Sequence, residues 1–160
     1  MLFIGIFLML ICAYLAWREY SLYLGREMRE LSELIAFART MRERMRCYLE
    51  PPSAWIRTYS TPELERVGFL GAIRDGGDLC EAYDAVVDEM CVGREAKDAF
   101  AAMLSDMGRG YLDGELAAID AAVDKLCASE RRVTDDYKNK TRAAGAMIAA
   151  VAVGAVILVI

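Results

Sequence analysis

Two long apolar stretches flank a central region in which apolar residues recur at helical spacing. No Asp, Glu, Lys or Arg occurs from Met1 to Trp17, or from Ala143 to Ile160. Stretches of that length can cross a hydrocarbon core about 30 Å thick. We therefore predict an all-α protein with three parts: an N-terminal transmembrane helix over residues 1–17, a cytoplasmic helical domain over 18–142, and a C-terminal transmembrane helix over 143–160. The alternatives are a cleaved signal peptide for the first stretch and a buried core helix for the second.

The central region predicts a compact bundle of about six helices and no sheet. The first helix runs from Arg18 to Leu49, has Arg and Glu opposite its apolar face, and stops at Pro51 and Pro52. Further helices are predicted over 53–59, from Pro62 through Ile73, from Leu79 through Met90, from Gly93 to Gly108, and from Asp113 into the second span. A hydroxyl of Ser60 or Thr61 is expected to cap the helix from Pro62, and Asp78 is expected to cap the helix from Leu79. The apolar face of the first helix comprises Leu24, Met28, Leu31, Leu34, Ile35, Ala38, Met41 and Met45.

Basic residues flank both predicted spans and favour a cytoplasmic location for the central domain. Five cysteines without a C-x-x-C pair agree, because they suggest reduced and mostly buried thiols. The segments 18–46 and 131–142 are basic, whereas residues 47–130 hold seven basic and 17 acidic side chains, a local net charge of −10. The basic segments are therefore expected near the anionic headgroups.

The acidic region either keeps the domain soluble or forms a docking face for a basic partner. Its strong negative charge argues against nucleic acid as a partner. We call the possible partner surface the acidic face, and it comprises Asp75, Asp78, Glu81, Asp84, Asp88, Glu89, Glu95 and Asp98.

The sequence lacks histidine and the spacings that mark common catalytic and metal sites. The chain has no His, its cysteines lack zinc-site spacing, and no Lys-Ser/Thr pair follows the glycines near residue 110. Asp84 and Asp88 lie one helical turn apart and could bind a cation, but a solvated face is the commoner role. We predict no catalytic residue, no metal, no cofactor and no small-molecule substrate.

The second span carries small residues every four positions, at Ala146, Ala150 and Gly154. Such a stripe lets two membrane helices pack closely. The alternative is chance in an alanine-rich span, since Gly145 and Ala149 repeat the spacing on a neighbouring face.

The order of these features resembles the stage III sporulation protein AB family over nearly the whole chain. The resemblance rests on the long helix R-E-L-S-E-L-I-A-F-A-R-T-M from Arg29, the proline break after Tyr48, and the segment D-M-G-R-G-Y-L-D-G-E over 106–115. Arg109 and Ala117 depart from the family pattern. The residues that match its turn motif are Gly108, Gly110, Asp113 and Glu115.

The resemblance implies a helical domain similar to that of the type II secretion system F platform protein. It also implies a non-enzymatic adaptor in the outer forespore membrane, with its domain in the mother-cell cytoplasm. The implied partners are other stage III sporulation channel membrane proteins, a secretion-type cytoplasmic ATPase and the lipid bilayer. The alternatives are an inner-membrane platform component of a type II secretion or pilus assembly system, and a small membrane-anchored regulator.

Overall fold

A computed structural model describes the backbone of residues 2–108 and 111–159. The side chains of residues 1–10, 13, 16, 53 and 145–160 lie outside the described part, and with them the stripe of Ala146, Ala150 and Gly154 and most of both predicted spans. Among the residues that are described, no helix has an apolar stretch long enough to cross a membrane.

The described chain is helical, and two helices far longer than the others organise it. The elements in chain order are α1 (Leu2–Tyr48), α2 (Pro52–Trp55), a 3-10 turn (Ile56–Thr58), α3 (Pro62–Arg66), α4 (Phe69–Arg74), α5 (Leu79–Val86), a second 3-10 turn (Val87–Glu89), α6 (Arg94–Asp106) and α7 (Leu112–Val159). Both α1 and α7 continue without a break from the central region into the predicted spans. The all-helical prediction is thus confirmed.

The two long helices run antiparallel in contact with each other. Arg42 pairs with Asp120 near one end (Arg42 Nε to Asp120 Oδ1, 2.6 Å), and Lys140 donates a hydrogen bond to the Tyr20 hydroxyl near the other. We call the Tyr20–Lys140 end of the bundle the base. We call the opposite end, where α1 stops and α7 starts, the tip.

Contacts between neighbouring elements close a circle around one core. Going round it, α1 contacts α7, α7 contacts α6, α6 contacts α5, α5 contacts α4, α4 contacts α3, and α3 contacts α1 again. Phe37 of α1 is fully buried near the centre, with its ring 5.4–5.8 Å from the rings of four aromatic residues. Those four residues are Trp55, Tyr59, Phe69 and Phe100.

The helix predicted from Pro62 through Ile73 is two helices, so that prediction is wrong in its continuity. Gly68 separates α3 from α4 with φ +85, a left-handed conformation that glycine adopts at little cost. The apolar positions still serve one core, because Leu64, Val67, Leu70 and Ile73 are all buried. Periodicity therefore placed the side chains correctly and missed the break.

Two features of α1 differ from the sequence expectation. Glu27 and Glu30 are buried, although the charged residues were expected on the solvent side of the helix. The arginines at positions 39, 42, 44 and 46 lie towards the tip, because an uninterrupted helix rises about 1.5 Å per residue and Arg46 is roughly 40 Å beyond Arg18. The expectation that this whole basic segment lies close to the membrane is therefore wrong.

The thiols also differ from expectation. None of the five cysteines is buried: Cys12 and Cys47 are exposed, and Cys80, Cys91 and Cys127 are half-buried. The expectation that most of the thiols are buried is therefore wrong.

Candidate interaction surfaces

A row of three glutamates on α1 holds the short helices in place. Glu33 accepts hydrogen bonds from the backbone N–H groups of Glu63 and Leu64, both at 2.9 Å, at the first turn of α3. The sequence predicted that a hydroxyl would cap this helix, but neither side chain preceding it does so, and Thr61 Oγ1 has no hydrogen-bond partner among the described residues. The cap comes from α1 because the free N–H groups of α3 point towards that helix.

Glu30, one turn closer to the base, is fully buried and joins three segments. Its carboxylate binds the Arg66 guanidinium of α3 and accepts a hydrogen bond from the Cys91 N–H at 2.6 Å. The Tyr23 hydroxyl donates to the Cys91 carbonyl oxygen at 3.1 Å. The loop between α5 and α6 is thus fastened to α1 on both sides of Cys91.

Glu27 completes the row beside Gly93, the residue that precedes α6. Burial raises the pKa of this carboxyl, and a hydrogen bond from the Gly93 backbone opposes that rise. By contrast, hydrogen bonds from Arg66 and Arg29 lower the pKa of Glu63 at the exposed end of the same network. The row therefore positions α3, α6 and the loop before α6, and it is a structural feature that helical spacing alone did not reveal.

The eight residues of the acidic face are all exposed. They lie on the turn after α4, on α5, on the 3-10 turn after α5, and on the first turns of α6. Glu95 pairs with Arg132 of α7 at 2.7 Å, and Asp98 with Arg94 at 3.9 Å. No ion pair involves the other six within the described ranges.

Two members of the acidic face border a buried phenol. The Tyr83 hydroxyl donates to the Lys97 carbonyl oxygen at 3.1 Å, which links α5 to α6. Burial raises the pKa of Tyr83 well above its ordinary value, and the charges of Asp98 and Asp84 add to the rise. Asp84 and Asp98 therefore belong to one continuous surface that crosses from α5 to α6.

Asp78 has a structural role as well as an exposed position. Its carboxylate accepts from the Cys80 N–H at 3.4 Å and caps the start of α5. Asp84 and Asp88, the candidate cation ligands, are both exposed. No group of three or more carboxylates or thiols in the described residues is arranged to hold a metal ion.

The turn motif joins α6 to α7. Gly108 has φ +75, and its N–H donates to Glu115 Oε1 at 2.8 Å. Asp113 is exposed in the first turn of α7, and Gly110 lies outside the described residues. Gly108 therefore forms the left-handed turn, and Glu115 accepts the hydrogen bond from the backbone N–H of that glycine.

Replacing Gly108 by alanine is expected to destabilise the protein by about 1 kcal/mol, since an L-residue pays roughly that much in the left-handed region. No atom lies within 4 Å of the added methyl group, so the backbone alone sets the cost. Gly114→Ala is the matched control: it also has open space and lies inside α7, where alanine should stabilise by up to about 1 kcal/mol. Thermal unfolding of the purified full chain should move in opposite directions for the two variants; equal shifts would contradict this account.

The tip exposes large apolar side chains. Tyr48 is 69% exposed, Leu49 74% and Tyr111 92%. Leu49 has φ +52, and the Glu50 N–H beyond it donates to the Arg44 carbonyl oxygen at 3.3 Å, so the chain leaves α1 in a sharp turn. A cavity of about 390 Å³ between this turn and the start of α7 is lined by Met45, Leu49, Glu50, Pro51, Pro52, Met107, Gly108, Leu112 and Glu115.

These features define an all-helical protein built on two antiparallel helices, whose prominent features are exposed charged and apolar surfaces. A family model described as Stage III sporulation protein AB (spore_III_AB) matches residues 2–160. The chain belongs to that family, which the sequence resemblance had indicated, and it therefore has a role in stage III of sporulation. The family is one of sporulation proteins and not a known enzyme family. No curated protein and no solved structure matches the chain.

Proposed function

We propose that this protein is a non-enzymatic membrane platform that couples a cytoplasmic secretion-type ATPase to the other membrane proteins of the channel between mother cell and forespore. The observation that carries the proposal is the antiparallel pairing of α1 and α7. Because both helices continue past the base, the two predicted spans leave the bundle on the same side. A domain with two adjacent anchors would have a fixed orientation on a bilayer.

The charges and aromatic residues at the base suit a membrane surface. Lys140 lies over the Tyr20 ring, 5.0 Å from its centroid, and Trp17 is one turn before Tyr20. Aromatic side chains and cations are enriched at the headgroup level. We place the base at the outer forespore membrane and the rest of the bundle in the mother-cell cytoplasm.

The acidic face and the tip would then face the cytoplasm. Six of the eight carboxylates of the acidic face form no ion pair within the described ranges, so their charge is available to a basic partner. Exposed tyrosines such as Tyr48 and Tyr111 often anchor protein interfaces. We propose that the ATPase docks on the acidic face. The sequence resemblance implies that the domain is similar to the type II secretion F platform domain, which agrees with an adaptor role. That similarity stays a prediction.

Reversing the acidic face should abolish recovery of the ATPase with this protein. The test variant is Asp84→Lys/Asp88→Lys/Glu89→Lys, three exposed residues without ion pairs in the described part. The full chain, tagged and expressed in its own host during sporulation, would be purified from native membranes. Loss of at least ten-fold of the ATPase is expected, because three repulsive charges replace three attractive ones.

The matched control reverses three exposed carboxylates elsewhere on the bundle, Asp106→Lys/Asp124→Lys/Asp135→Lys. It changes net charge equally and should retain the ATPase. Equal retention by both variants would reject docking on the acidic face. Absence of the wild-type chain from membranes, or of any stage III sporulation partner, would reject the platform itself.

A further inference from the structure

A groove between α1 and α7 carries unpaired positive charge on one side of the bundle. It has a volume of about 390 Å³, and its lining consists of Arg39, Arg42, Glu43, Arg46, Cys47, Asp120 and Val123. Arg42 pairs with Asp120, whereas Arg39 donates only to Cys127 Sγ, at 3.5 Å. Arg39, Arg46 and Glu43 form no ion pair in the part of the chain that is described, so the unpaired side chains of the groove carry a net positive charge. We call this surface the arginine groove.

The part of the acidic face nearest the tip carries the opposite charge. Asp75 ends α4 and Glu81 lies in the first turn of α5, and both are exposed without an ion pair among the described residues. Asp78 lies between them. We call these three residues the tip-side half of the acidic face, and the other five, from Asp84 to Asp98, form its base-side half.

The arginine groove and the tip-side half of the acidic face both lie towards the tip. Asp78 lines one cavity with Met107 and Gly108, and Met45 lines another cavity with the same two residues. Met45 precedes Arg46 in α1. Both charged surfaces therefore lie near Met107 and Gly108, where α6 ends.

The two surfaces also lie on opposite sides of the bundle. In the circle of contacts the order is α1, α7, α6, α5, α4, α3. The arginine groove lies between α1 and α7, and the opposite point of a six-membered circle lies between α5 and α4. Asp75, Asp78 and Glu81 occupy that point.

We propose that the arginine groove of one copy of this chain binds the tip-side half of the acidic face of a second copy. Copies anchored in one membrane share an upright orientation, so they meet side by side, at equal heights above the bilayer. Surfaces of opposite charge that lie on opposite sides of the bundle, both towards the tip, then form a head-to-tail contact. In a pair of copies, one groove and one acidic face remain unoccupied, so further copies can add. The row then either stays open or closes into a ring.

Confinement in the membrane favours this contact. Exposed ion pairs are individually weak and are screened over about 8 Å at physiological salt. Anchoring holds neighbouring copies at high effective concentration, which converts weak contacts into stable association. The inference rests on the membrane anchoring of the proposed function but not on the ATPase, which keeps the base-side half of the acidic face.

Self-association can be measured with the full chain carrying two different tags in one cell, by recovery of one tag with the other from native membranes. The groove variant is Arg39→Glu/Arg46→Glu, and the face variant is Asp75→Lys/Glu81→Lys; Asp78 is left intact because it caps α5. Each variant alone should lose at least five-fold of the recovery, since both contacting surfaces then carry the same sign. Salt of about 1 M should weaken the wild-type contact as well.

The decisive experiment expresses the groove variant and the face variant together, each with its own tag, and measures the recovery of one with the other. A groove variant meets a face variant with opposite charges at every contact, so recovery between them should return to near the wild-type level. Control reversals at exposed positions of α7, Arg131→Glu/Lys138→Glu and Asp124→Lys/Asp135→Lys, should leave recovery unchanged.

The outcomes separate this inference from the proposed function. Undiminished recovery by either variant, or no restoration on mixing, would overturn head-to-tail contact through these surfaces. Wild-type chains that reach the membrane and bind the ATPase, yet show no recovery of one another, would overturn the inference and leave the platform proposal intact. Chains that associate as described but bring down no ATPase would do the reverse.

Discussion

Replacing Phe37 by alanine is expected to destabilise the bundle by about 3–5 kcal/mol, the usual range for removing a buried aromatic ring. Its side chain is 0% exposed and contacts rings from the first 3-10 region, α4 and α6. The loss combines the hydrophobic contribution, a cavity, and edge-to-face contacts worth about 0.5–1.5 kcal/mol per pair. No neighbouring element can collapse into the space without moving the others.

The emission of Trp55 offers a direct measurement, because this indole is 3% exposed and packs against Phe37 with 5.7 Å between ring centroids. The measurement uses the full chain in detergent with Trp17 replaced by Phe, so that only Trp55 emits. The midpoint of thermal unfolding should shift down by roughly 10–20 °C for a domain of this size. Phe37→Leu keeps most of the volume and should cost under about 2 kcal/mol. Tyr48→Ala removes an exposed ring and should change little; a comparable loss there would contradict the assignment of Phe37 as the centre of the core.

Replacing Glu30 by alanine should destabilise the protein by about 2–4 kcal/mol. Breaking a buried ion pair by removing one partner costs about 3–5 kcal/mol, and a buried N–H without an acceptor costs about 1–3 kcal/mol. The Arg66 side chain is 45% exposed and can turn to water, which reduces the first contribution. The Cys91 N–H loses the carboxylate that accepts its hydrogen bond.

Glu30→Gln separates the two contributions. Its amide oxygen can still accept from the Cys91 N–H, but it cannot form the ion pair with Arg66, so a loss of about 1–2 kcal/mol is expected. Glu43→Gln, an exposed position on the same helix, serves as the control. Hydrogen exchange of the Cys91 amide should quicken strongly in Glu30→Ala and only slightly in Glu30→Gln. An unchanged exchange rate in both would show that this bond does not hold the loop.

Both substitutions bear on the proposed function through position, because neither residue is exposed. Glu30 fastens the loop that leads into α6, and Phe37 packs against Phe100 of α6. Helix α6 carries the base-side end of the acidic face, at Glu95 and Asp98. Losses at Phe37 or Glu30 should therefore weaken partner binding only in proportion to unfolding, in contrast to the charge reversals.

The sequence alone determined the helical class, most helix limits and most of the core. Proline and glycine stop a helix by their own geometry, and burial of an apolar face imposes a spacing of three and four residues. Seven of the eight apolar residues predicted on α1 are buried, all but Met28, which is half-buried. The preference for Asp directly before a helix also identified Asp78 as the cap of α5.

The tertiary structure decided which polar groups meet. Glu30 sits on the same face as the apolar residues, yet only the position of Arg66 and Cys91 makes its burial favourable. Glu33 replaces the local hydroxyl as the cap of α3 because α1 passes beside that helix. Arg39 and Arg46 lie near the tip because α1 continues without a break to Tyr48. The spacing of residues along a chain indicates local geometry. Long-range contacts depend instead on how distant segments pack, and the periodicity of a single sequence does not reveal those contacts.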